Sequence, residues 1–251
     1  MTSDDDRLAH DLAAQAGRRL LELRATGGDP VTLRKAGDRQ SHEFLVAELA
    51  RHRPGDAVLS EEGLDDPARL SASRVWIVDP LDGTREFGEP GRSDWAVHVA
   101  LWELGELTAG AVALPAQGKV LSTAEPLATR PAPPPGPMRF IVSRTRPPAF
   151  VEQLAQQTGA VLLPLGSAGA KAAAVICGDA DAYIHSGGQY EWDSAAPVAV
   201  AAAAGLHTSR IDGSKLAYNQ VHPSLPDILI CEASLAGPLL EAISSARAVS
   251  G

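Results

Sequence analysis

Cysteine, basic residues and long apolar runs are all scarce in this sequence. The two cysteines, Cys177 and Cys231, each follow an isoleucine. This placement indicates reduced core thiols and argues against a disulfide-stapled secreted scaffold. The 22 Lys and Arg residues are outnumbered by 31 Asp and Glu residues, giving a formal net charge of −9. Because no basic stripe is present, we do not expect nucleic-acid binding.

No apolar run approaches the length that a membrane-spanning helix needs. The N-terminus is acidic over residues 4–6, where a secretory signal peptide would be basic. We therefore expect a cytoplasmic protein with no membrane partner. The sequence has 251 residues and 45% hydrophobic content. This is enough for one large domain, or for two small ones around a shared cleft.

The N-terminal half predicts a mixture of helices and strands. Ser3 or Asp4 can cap a first helix, after which residues 30–33 are expected to be extended. Ser41 is expected to cap a second helix that stops at Pro54. Strands, with a hairpin turn at 103–106, are expected at 57–60, 75–78, 95–102, 107–114 and 119–123.

Residues 126–137 are rich in proline and are expected to form a stiff, extended linker. We therefore predict a domain boundary between an N-terminal α+β half, residues 1–130, and a C-terminal α/β half, residues 138–251. Beyond the linker, strands and helices are expected to alternate, which is typical of an α/β layer. The expected segments, beginning with a strand, are 139–143, 148–157, 161–163, 168–177, 182–185, 194–204, 228–231 and 235–246.

The rest of the chain is organised around one stretch, W-I-V-D-P-L-D-G-T-R-E-F at residues 76–87. Its apolar start predicts a buried strand that ends at Pro80, because proline cannot continue a ladder. Asp79 and Asp82 then stand at the end of this strand, where two carboxylates repel each other unless a cation lies between them. Oxygen ligands indicate a hard divalent ion such as Mg²⁺. A solvated Asp-rich turn is the alternative for the short pattern alone.

The longer string favours the metal site. D-P-L-D-G-T resembles the D-P-[IL]-D-G-T motif of the lithium-sensitive, Mg²⁺-dependent phosphatase superfamily of inositol monophosphatases, fructose-1,6-bisphosphatases and 3'-phosphoadenosine-5'-phosphate phosphatases. W-D-S-A-A at residues 192–196 resembles a second motif of the superfamily, W-D-x-A-A. The resemblance covers nearly the whole chain. It implies a layered α/β/α/β/α sandwich, an α+β and α/β fold with the active site between the two halves.

The resemblance also implies a set of metal ligands. Glu61 begins the pair Glu61-Glu62 at the end of the strand before the motif strand, where it can join Asp79; a helix-start acidic pair is the alternative. Asp193 is expected to cap a helix of small residues and, by resemblance, to bind metal as well. Two or three Mg²⁺ ions are implied, with Li⁺ as an inhibitor that replaces one of them. The implied ligands are Glu61, Asp79, the Leu81 carbonyl, Asp82 and Asp193.

Thr84 and an upstream aspartate are implied to orient the attacking water. The upstream pattern of the superfamily is V-T-x-A-D, whereas here Val31-Thr32 is followed by an aspartate three residues late, at Asp38. Asp38 is the best candidate for this catalytic role, and a plain turn residue is the alternative.

Three segments favour the CysQ-type 3'-phosphoadenosine-5'-phosphate phosphatases within the superfamily. The catalytic loop D-G-T-R-E-F matches the D-G-T-[KR]-E-F of that type. S-R-T-R at residues 143–146 resembles its S-R-S-H segment and suits a second phosphate, with a basic surface turn as the alternative. G-S-A-G-A-K at residues 166–171 resembles G-S-[SA]-x-x-K, in which a helix N-terminus and the Lys face an anion. The implied substrate-binding residues are Gly83, Arg85, Ser143, Arg144, Gly166, Ser167 and Lys171.

A fourth position weakens the inositol alternative. Ser186 stands where inositol phosphatases carry a Glu, seven residues before Asp193. Residues 187–190 are expected to form a loop that borders an adenine, with Tyr190 or Trp192 stacking on the base.

The resemblance implies hydrolysis of the 3'-phosphate of 3'-phosphoadenosine 5'-phosphate to AMP and phosphate, which clears a by-product of sulfate assimilation. An inositol-1-phosphate or fructose-1,6-bisphosphate phosphatase, possible also as a side activity, is the alternative within enzymes. A non-catalytic nucleotide-binding protein is the alternative of another class. A homodimer is common in the superfamily, although no stripe of this sequence demands one.

Overall fold

The computed structural model describes residues 3–127 and 135–250, which form helices on both faces of two sheets. The predicted linker at 126–137 lies largely outside the described residues. The helices are α1 (Asp4–Ala25), α2 (Pro30–His52), α3 (Thr84–Gly88), α4 (Ala149–Thr158), α5 (Ala168–Ile176), α6 (Glu191–Ala203) and α7 (Ala236–Ser250). The strands are β1 (Ala57–Ser60), β2 (Arg74–Asp82), β3 (Ala96–Glu103), β4 (Glu106–Leu114), β5 (Lys119–Ser122), β6 (Arg139–Ser143), β7 (Val161–Leu165), β8 (Ala182–Tyr190), β9 (His207–Ser209) and β10 (Ser224–Cys231).

The strands form two five-stranded sheets. The first has the order β1-β2-β3-β4-β5, in which β1 and β2 are parallel and the other pairs antiparallel. The second has the order β7-β6-β8-β10-β9, in which β6 is parallel to both β7 and β8. The predicted strands at 57–60 and 139–143, and the hairpin between β3 and β4, are therefore confirmed.

Alternation of side chains along each strand creates the layers. On β2, Trp76 and Val78 pack into a core with α1 and α2, whereas Val75 and Ile77 face the opposite way, toward α5 and α6. The second sheet covers the other side of α5 and α6 and packs its own outer face against α4 and α7. The predicted α/β/α/β/α sandwich is thus confirmed, with α5 and α6 in the middle layer. No helix within the described ranges has the length and apolarity needed to cross a membrane.

Helix α2 begins earlier than predicted. Residues 30–33, expected to be extended, are its first turn, because the Asp29 carboxylate caps it by accepting the Thr32 N–H at 2.9 Å. Pro30 fits this turn because the first helical N–H needs no partner. Ser41, expected to be a cap, lies inside the helix and donates its hydroxyl to the Pro80 carbonyl at 2.7 Å. One continuous helix therefore carries Asp38 to the motif.

Two boundaries near the second motif also differ from prediction. Helix α6 begins at Glu191, so Asp193 lies in its first turn and is not the cap; its carboxylate accepts the Tyr190 N–H at 2.6 Å. Residues 187–190, expected to be a loop, belong to β8, and Gln189 and Tyr190 pair with β10 on one side of a register shift. The short strand β9 was not predicted from the sequence, since only three residues form it.

Candidate active site

Three carboxylates converge where β2 ends and α6 begins. One oxygen each of Asp79, Asp82 and Asp193 lies within 4.8 Å of the others. Asp79 and Asp82 are buried. The chain turns sharply after them at Gly83, which has φ +83° and packs so closely that an added Cβ would lie 2.9 Å from the Ser167 side chain. Glycine at this position is therefore required both by the backbone and by the approach of α5.

Asp82 is the well-compensated member of the cluster. Its two oxygens accept N–H groups from the start of α5, Ala168 at 3.1 Å and Gly169 at 2.6 Å. Nε2 of His98 lies 3.1 Å from the same carboxylate. Burial would raise the pKa of Asp82, but His98, Lys171 and the amides together lower it to about 2. Asp82 is consequently ionised near neutral pH.

His98 is a site residue that sequence reasoning missed. It is fully buried on β3, and its Nδ1–H donates to the Trp192 carbonyl at 3.0 Å, one residue before Asp193. A Cβ on Gly169 would overlap its Nε2, so glycine there lets α5 approach. The only sequence signal was a histidine within an otherwise apolar strand, a pattern more often explained by core packing.

The other carboxylates of the site repel one another, and this repulsion contributes to their raised pKa values. Burial raises the pKa of Asp79 well above its usual range, and the charges of Glu61, Asp82 and Asp193 raise it further. Partial loss of hydration and the Asp193 charge raise the pKa of Glu61, the exposed residue beside the cluster, to about 7. Burial and the Asp82 charge raise the pKa of Asp193 to about 6. Oxygen ligands that repel one another at close range fit a hard divalent cation.

Asp38 and Thr84 meet beside this cluster. Thr84 Oγ1 lies 3.2 Å from Asp38 Oδ1 and 3.1 Å from the Leu81 carbonyl. Partial burial and the charge of Glu62 raise the pKa of Asp38 to about 6, although the Thr84 hydroxyl opposes the shift. The helical path of α2 explains how an aspartate three residues late in the sequence pattern still reaches the motif.

A cavity of about 240 Å³ opens beside the carboxylates. Its lining includes most of the residues predicted to bind substrate, namely Gly83, Arg85, Ser143, Gly166 and Lys171. Arg146, His185 and Gln189 also line it. Gln189 belongs to the segment expected to border an adenine, whereas His185 was not predicted. Ser167 instead caps α5 by accepting the Ala170 N–H at 2.9 Å.

Arg144 and Lys171, two cationic side chains that are predicted to bind the substrate, differ in their surroundings. Arg144 is held by carboxylates of the α3 region, with donors 2.6 Å from Glu86 and 3.0 Å from both oxygens of Glu89. Lys171 is 3% exposed and donates to the Gly166 carbonyl at 2.7 Å. Burial lowers the pKa of Lys171. A substrate contact by Arg144 stays a prediction, since its guanidinium is engaged by Glu86 and Glu89.

Tyr190 and Trp192, either of which was predicted to stack on an adenine, contact each other. The rings of Tyr190 and Trp192 stack on each other, with centroids 4.8 Å apart and planes 7° from parallel. Stacking of either ring on an adenine stays a prediction.

The chain folds into a five-layer sandwich of helices and sheets. Its carboxylate cluster lies at the end of β2, beside a cavity whose lining includes basic residues. These features define a class of layered α/β proteins with a candidate metal site. The chain belongs to the inositol monophosphatase family, whose model matches residues 6–245. Membership and the acidic cluster together suggest divalent metal binding.

Two named relatives and one solved structure show which members of the family the chain is similar to. The chain is 55% identical over 240 residues to the "3'-phosphoadenosine 5'-phosphate phosphatase" of Mycobacterium tuberculosis, covering 92% of this chain and 90% of that protein. It is 34% identical over 204 residues to the "3'(2'),5'-bisphosphate nucleotidase CysQ" of Escherichia coli, covering 75% of this chain and 79% of that protein. The solved structure of CysQ from Bacteroides thetaiotaomicron superposes with a TM-score of 0.74 at 26% identity, covering 91% of this chain and 97% of that one.

Proposed function

We propose that the protein is a Mg²⁺-dependent phosphomonoesterase that converts 3'-phosphoadenosine 5'-phosphate to AMP and phosphate. The observation that carries the proposal is the close approach of Asp79, Asp82 and Asp193 beside a cavity lined by Lys171 and Arg146. Relatives at 50–55% identity bear the name of this activity. The reaction removes a by-product of sulfate assimilation, and we place it in the cytoplasm.

The carboxylates of Glu61, Asp79, Asp82 and Asp193, with the Leu81 carbonyl, would hold two or three Mg²⁺ ions. Their mutual repulsion, visible in the raised pKa values of Asp79 and Asp193, supports this assignment. When bound, Mg²⁺ neutralises the phosphate, activates a water and stabilises the leaving alkoxide. Li⁺ inhibits by replacing one of the ions.

Asp38 and Thr84 orient the attacking water. Their oxygens are 3.2 Å apart, close enough for both to contact one water molecule. With a pKa of about 6, Asp38 is largely ionised near neutral pH and is able to accept a proton from that water.

The second phosphate of the substrate is held by polar and basic residues of the same cavity. Ser143 and Arg146 supply a hydroxyl and a guanidinium from the end of β6, and Lys171 supplies an ammonium from α5. Gly83 and Arg85 line the same cavity on the side of the motif. Charge-assisted hydrogen bonds from these side chains to the second phosphate favour a bisphosphate substrate over a monophosphate.

An inositol-1-phosphate or fructose-1,6-bisphosphate phosphatase is the second candidate. Inositol monophosphatases are among the structural neighbours, for example the one from Staphylococcus aureus at a TM-score of 0.77 and 22% identity. Ser186, where inositol phosphatases carry a Glu, counts against inositol phosphate.

The test is phosphate release with Mg²⁺ from 3'-phosphoadenosine 5'-phosphate, inositol-1-phosphate, fructose-1,6-bisphosphate and AMP, each with and without Li⁺. We expect the highest kcat/KM for the bisphosphonucleotide and inhibition by Li⁺. Arg146→Gln should raise KM for this substrate about tenfold and leave that for inositol-1-phosphate unchanged. Lys215→Gln, at an exposed lysine paired with Glu106, is the matched control. A higher kcat/KM for inositol-1-phosphate would overturn the substrate assignment.

A further inference from the structure

A buried polar network includes Glu191, two residues before Asp193, and is not used by the reaction described above. Its centre is Asn219, which is 7% exposed and has φ +59°, a left-handed conformation that asparagine tolerates. Its two outer members are Arg69 and Glu191, each 1% exposed. A buried charge at such positions is destabilising unless hydrogen bonds satisfy it.

The bonds on the Glu191 side are made by backbone amides. The N–H groups of Asn219 and Gln220 donate to the two carboxylate oxygens of Glu191 at 2.7 and 2.8 Å. Glu191 is the first residue of α6, two positions before Asp193. The loop at 219–220 therefore holds the segment that carries one proposed metal ligand.

The bonds on the other side are made by Arg69. Its guanidinium donates to Asn219 Oδ1 at 2.7 Å, to the Gln220 carbonyl at 2.9 Å and to Asp65 at 2.6 Å. The Asn219 side-chain amide returns a bond to the Arg69 carbonyl at 3.1 Å. Arg69 lies in the 3₁₀ turn Pro67–Ser71, at the end of the loop that follows Glu61.

The network thus joins two chain segments that are far apart in sequence and that each carry a proposed ligand. The Glu61 N–H donates to the Val78 carbonyl of β2 at 3.4 Å, whereas the loop that follows is exposed, with Leu64 entirely in solvent. Its anchor on the C-terminal side is Arg69, which donates to Asp65 within the loop and to Asn219 and Gln220 across the network. Glu61 itself feels the charge of Asp193 across the cluster.

We propose that the Arg69–Asn219–Glu191 network, called here the buried bridge, fixes the loop of Glu61 relative to Asp193 and so sets the affinity of the carboxylate cluster for Mg²⁺. The inference rests on the proposed function for the identity of the metal ligands. Its members are positioning residues, since none of them lines the cavity. Partners that hold metal-ligating carboxylates in place typically change metal affinity about 10- to 100-fold when they are removed.

The test measures Mg²⁺ binding directly, by isothermal titration calorimetry on the chelator-stripped full chain, with thermal unfolding of the metal-free protein in parallel. Asn219→Gly removes the side-chain link to Arg69 but keeps the left-handed backbone and the N–H to Glu191. We expect this variant to bind Mg²⁺ about tenfold more weakly. Arg69→Met removes the anchor altogether and should weaken binding further; if it does not fold, Asn219→Gly decides alone.

Asp181→Asn is the matched control. Asp181 is a buried carboxylate that binds Arg139 with contacts of 2.7 to 3.1 Å where β6 and β8 begin, whereas the cavity lies at their other ends. It should lower the unfolding temperature and leave Mg²⁺ affinity within about twofold of wild type. Equal weakening by Asp181→Asn, or an unchanged affinity in Asn219→Gly, would overturn the proposal.

A double-mutant cycle shows whether the bridge acts through Glu61. In a Glu61→Gln background, Asn219→Gly should have little further effect on Mg²⁺ affinity, because the ligand that it positions is already lost. Full additivity of the two changes would contradict the inference. A wild-type chain that binds no Mg²⁺ at all would overturn the proposed function and the inference together, which is a distinguishable result.

Discussion

Carboxylates at the start of strand β2 are paired with arginine, whereas those at its end lie next to one another. At its start, the Arg74 guanidinium contacts three carboxylates, Asp5 at 3.0 Å, Asp56 at 3.0 Å and Glu103 at 2.9 Å. At its end, Asp79 lies among carboxylates, and burial and these charges raise its pKa. At Asp5, burial also opposes ionisation, but Arg53 and Arg74 lower the pKa below its usual value.

The difference separates a structural charge cluster from a binding one. The carboxylates around Arg74 have their counter-charge within the chain, so nothing from outside is needed. The cluster at the other end is compensated mainly at Asp82, through His98, Lys171 and the α5 amides. A cluster that the chain leaves short of positive charge is expected to take a cation from solution.

The largest expected effect is that of Asp79→Asn. Loss of the negative charge of this buried ligand should lower Mg²⁺-dependent kcat at least about 100-fold, because metal stabilisation of the reaction amounts to several kcal/mol. The measurement is phosphate release across a Mg²⁺ titration, with circular dichroism as a check on folding.

Asp56→Asn at the start of the same strand is its control. Asp56 accepts bonds from Arg74 and from Trp76 Nε1 at 2.9 Å, so its loss should affect stability and leave kcat within about twofold. Comparable loss of kcat in both variants would erase the distinction between the two ends.

A smaller effect is expected when the cation of the structural cluster is removed. Arg74→Met leaves three carboxylates facing one another, and the free energy of unfolding should fall by about 2 kcal/mol. Urea denaturation of the metal-free protein measures this change. Mg²⁺ affinity should stay at the wild-type value; weaker Mg²⁺ binding would mean that the two ends of β2 are coupled.

The sequence was sufficient to predict the layered fold and the meeting of the carboxylates. The apolar run at 75–78 predicted β2, but the expected end at Pro80 was wrong, because the strand continues across a register shift to Asp82. The two motifs indicated which acidic residues converge. The contacts of Asp82 with the α5 amides were not predicted, since the start of that helix was expected to face a substrate anion. The confirmed features depend on local pattern or on residues that are close together within one motif.

Other features depend on tertiary contacts that have no local signature. The start of α2 was predicted too late, because Asp29 caps a helix whose first turn contains Pro30, and Pro30 had been read as extended. The role of His98 requires knowledge that β3 lies beside β2 in a register that sets it opposite Asp79. The pairing of Arg144 with Glu86 and Glu89 requires three-dimensional proximity across 58 and 55 residues.

The smallest expected effect is a change of stability with pH. It distinguishes the two ends of β2 without a mutation in the site. Raised pKa values mean that the folded protein holds protons on Glu61, Asp193 and Asp38 that the unfolded chain releases first. Metal-free stability should therefore fall as pH rises from about 5 to about 7, with a decrease in Tm of about 5 °C. The groups around Arg74 do not add to this slope, since the lowered pKa of Asp5 has its effect at more acidic pH.

Saturating Mg²⁺ should abolish most of this slope. A bound cation replaces the missing protons, so the Mg²⁺-induced rise in Tm should be large near pH 7 and small near pH 5, where protons compete for the same oxygens. Differential scanning calorimetry with and without Mg²⁺ measures both curves, and Asp79→Asn should flatten the metal-free one by removing a repelling charge. A metal-free Tm that rises over this pH range would contradict the repulsion among these carboxylates, whereas a Mg²⁺ effect independent of pH would indicate binding elsewhere on the acidic surface.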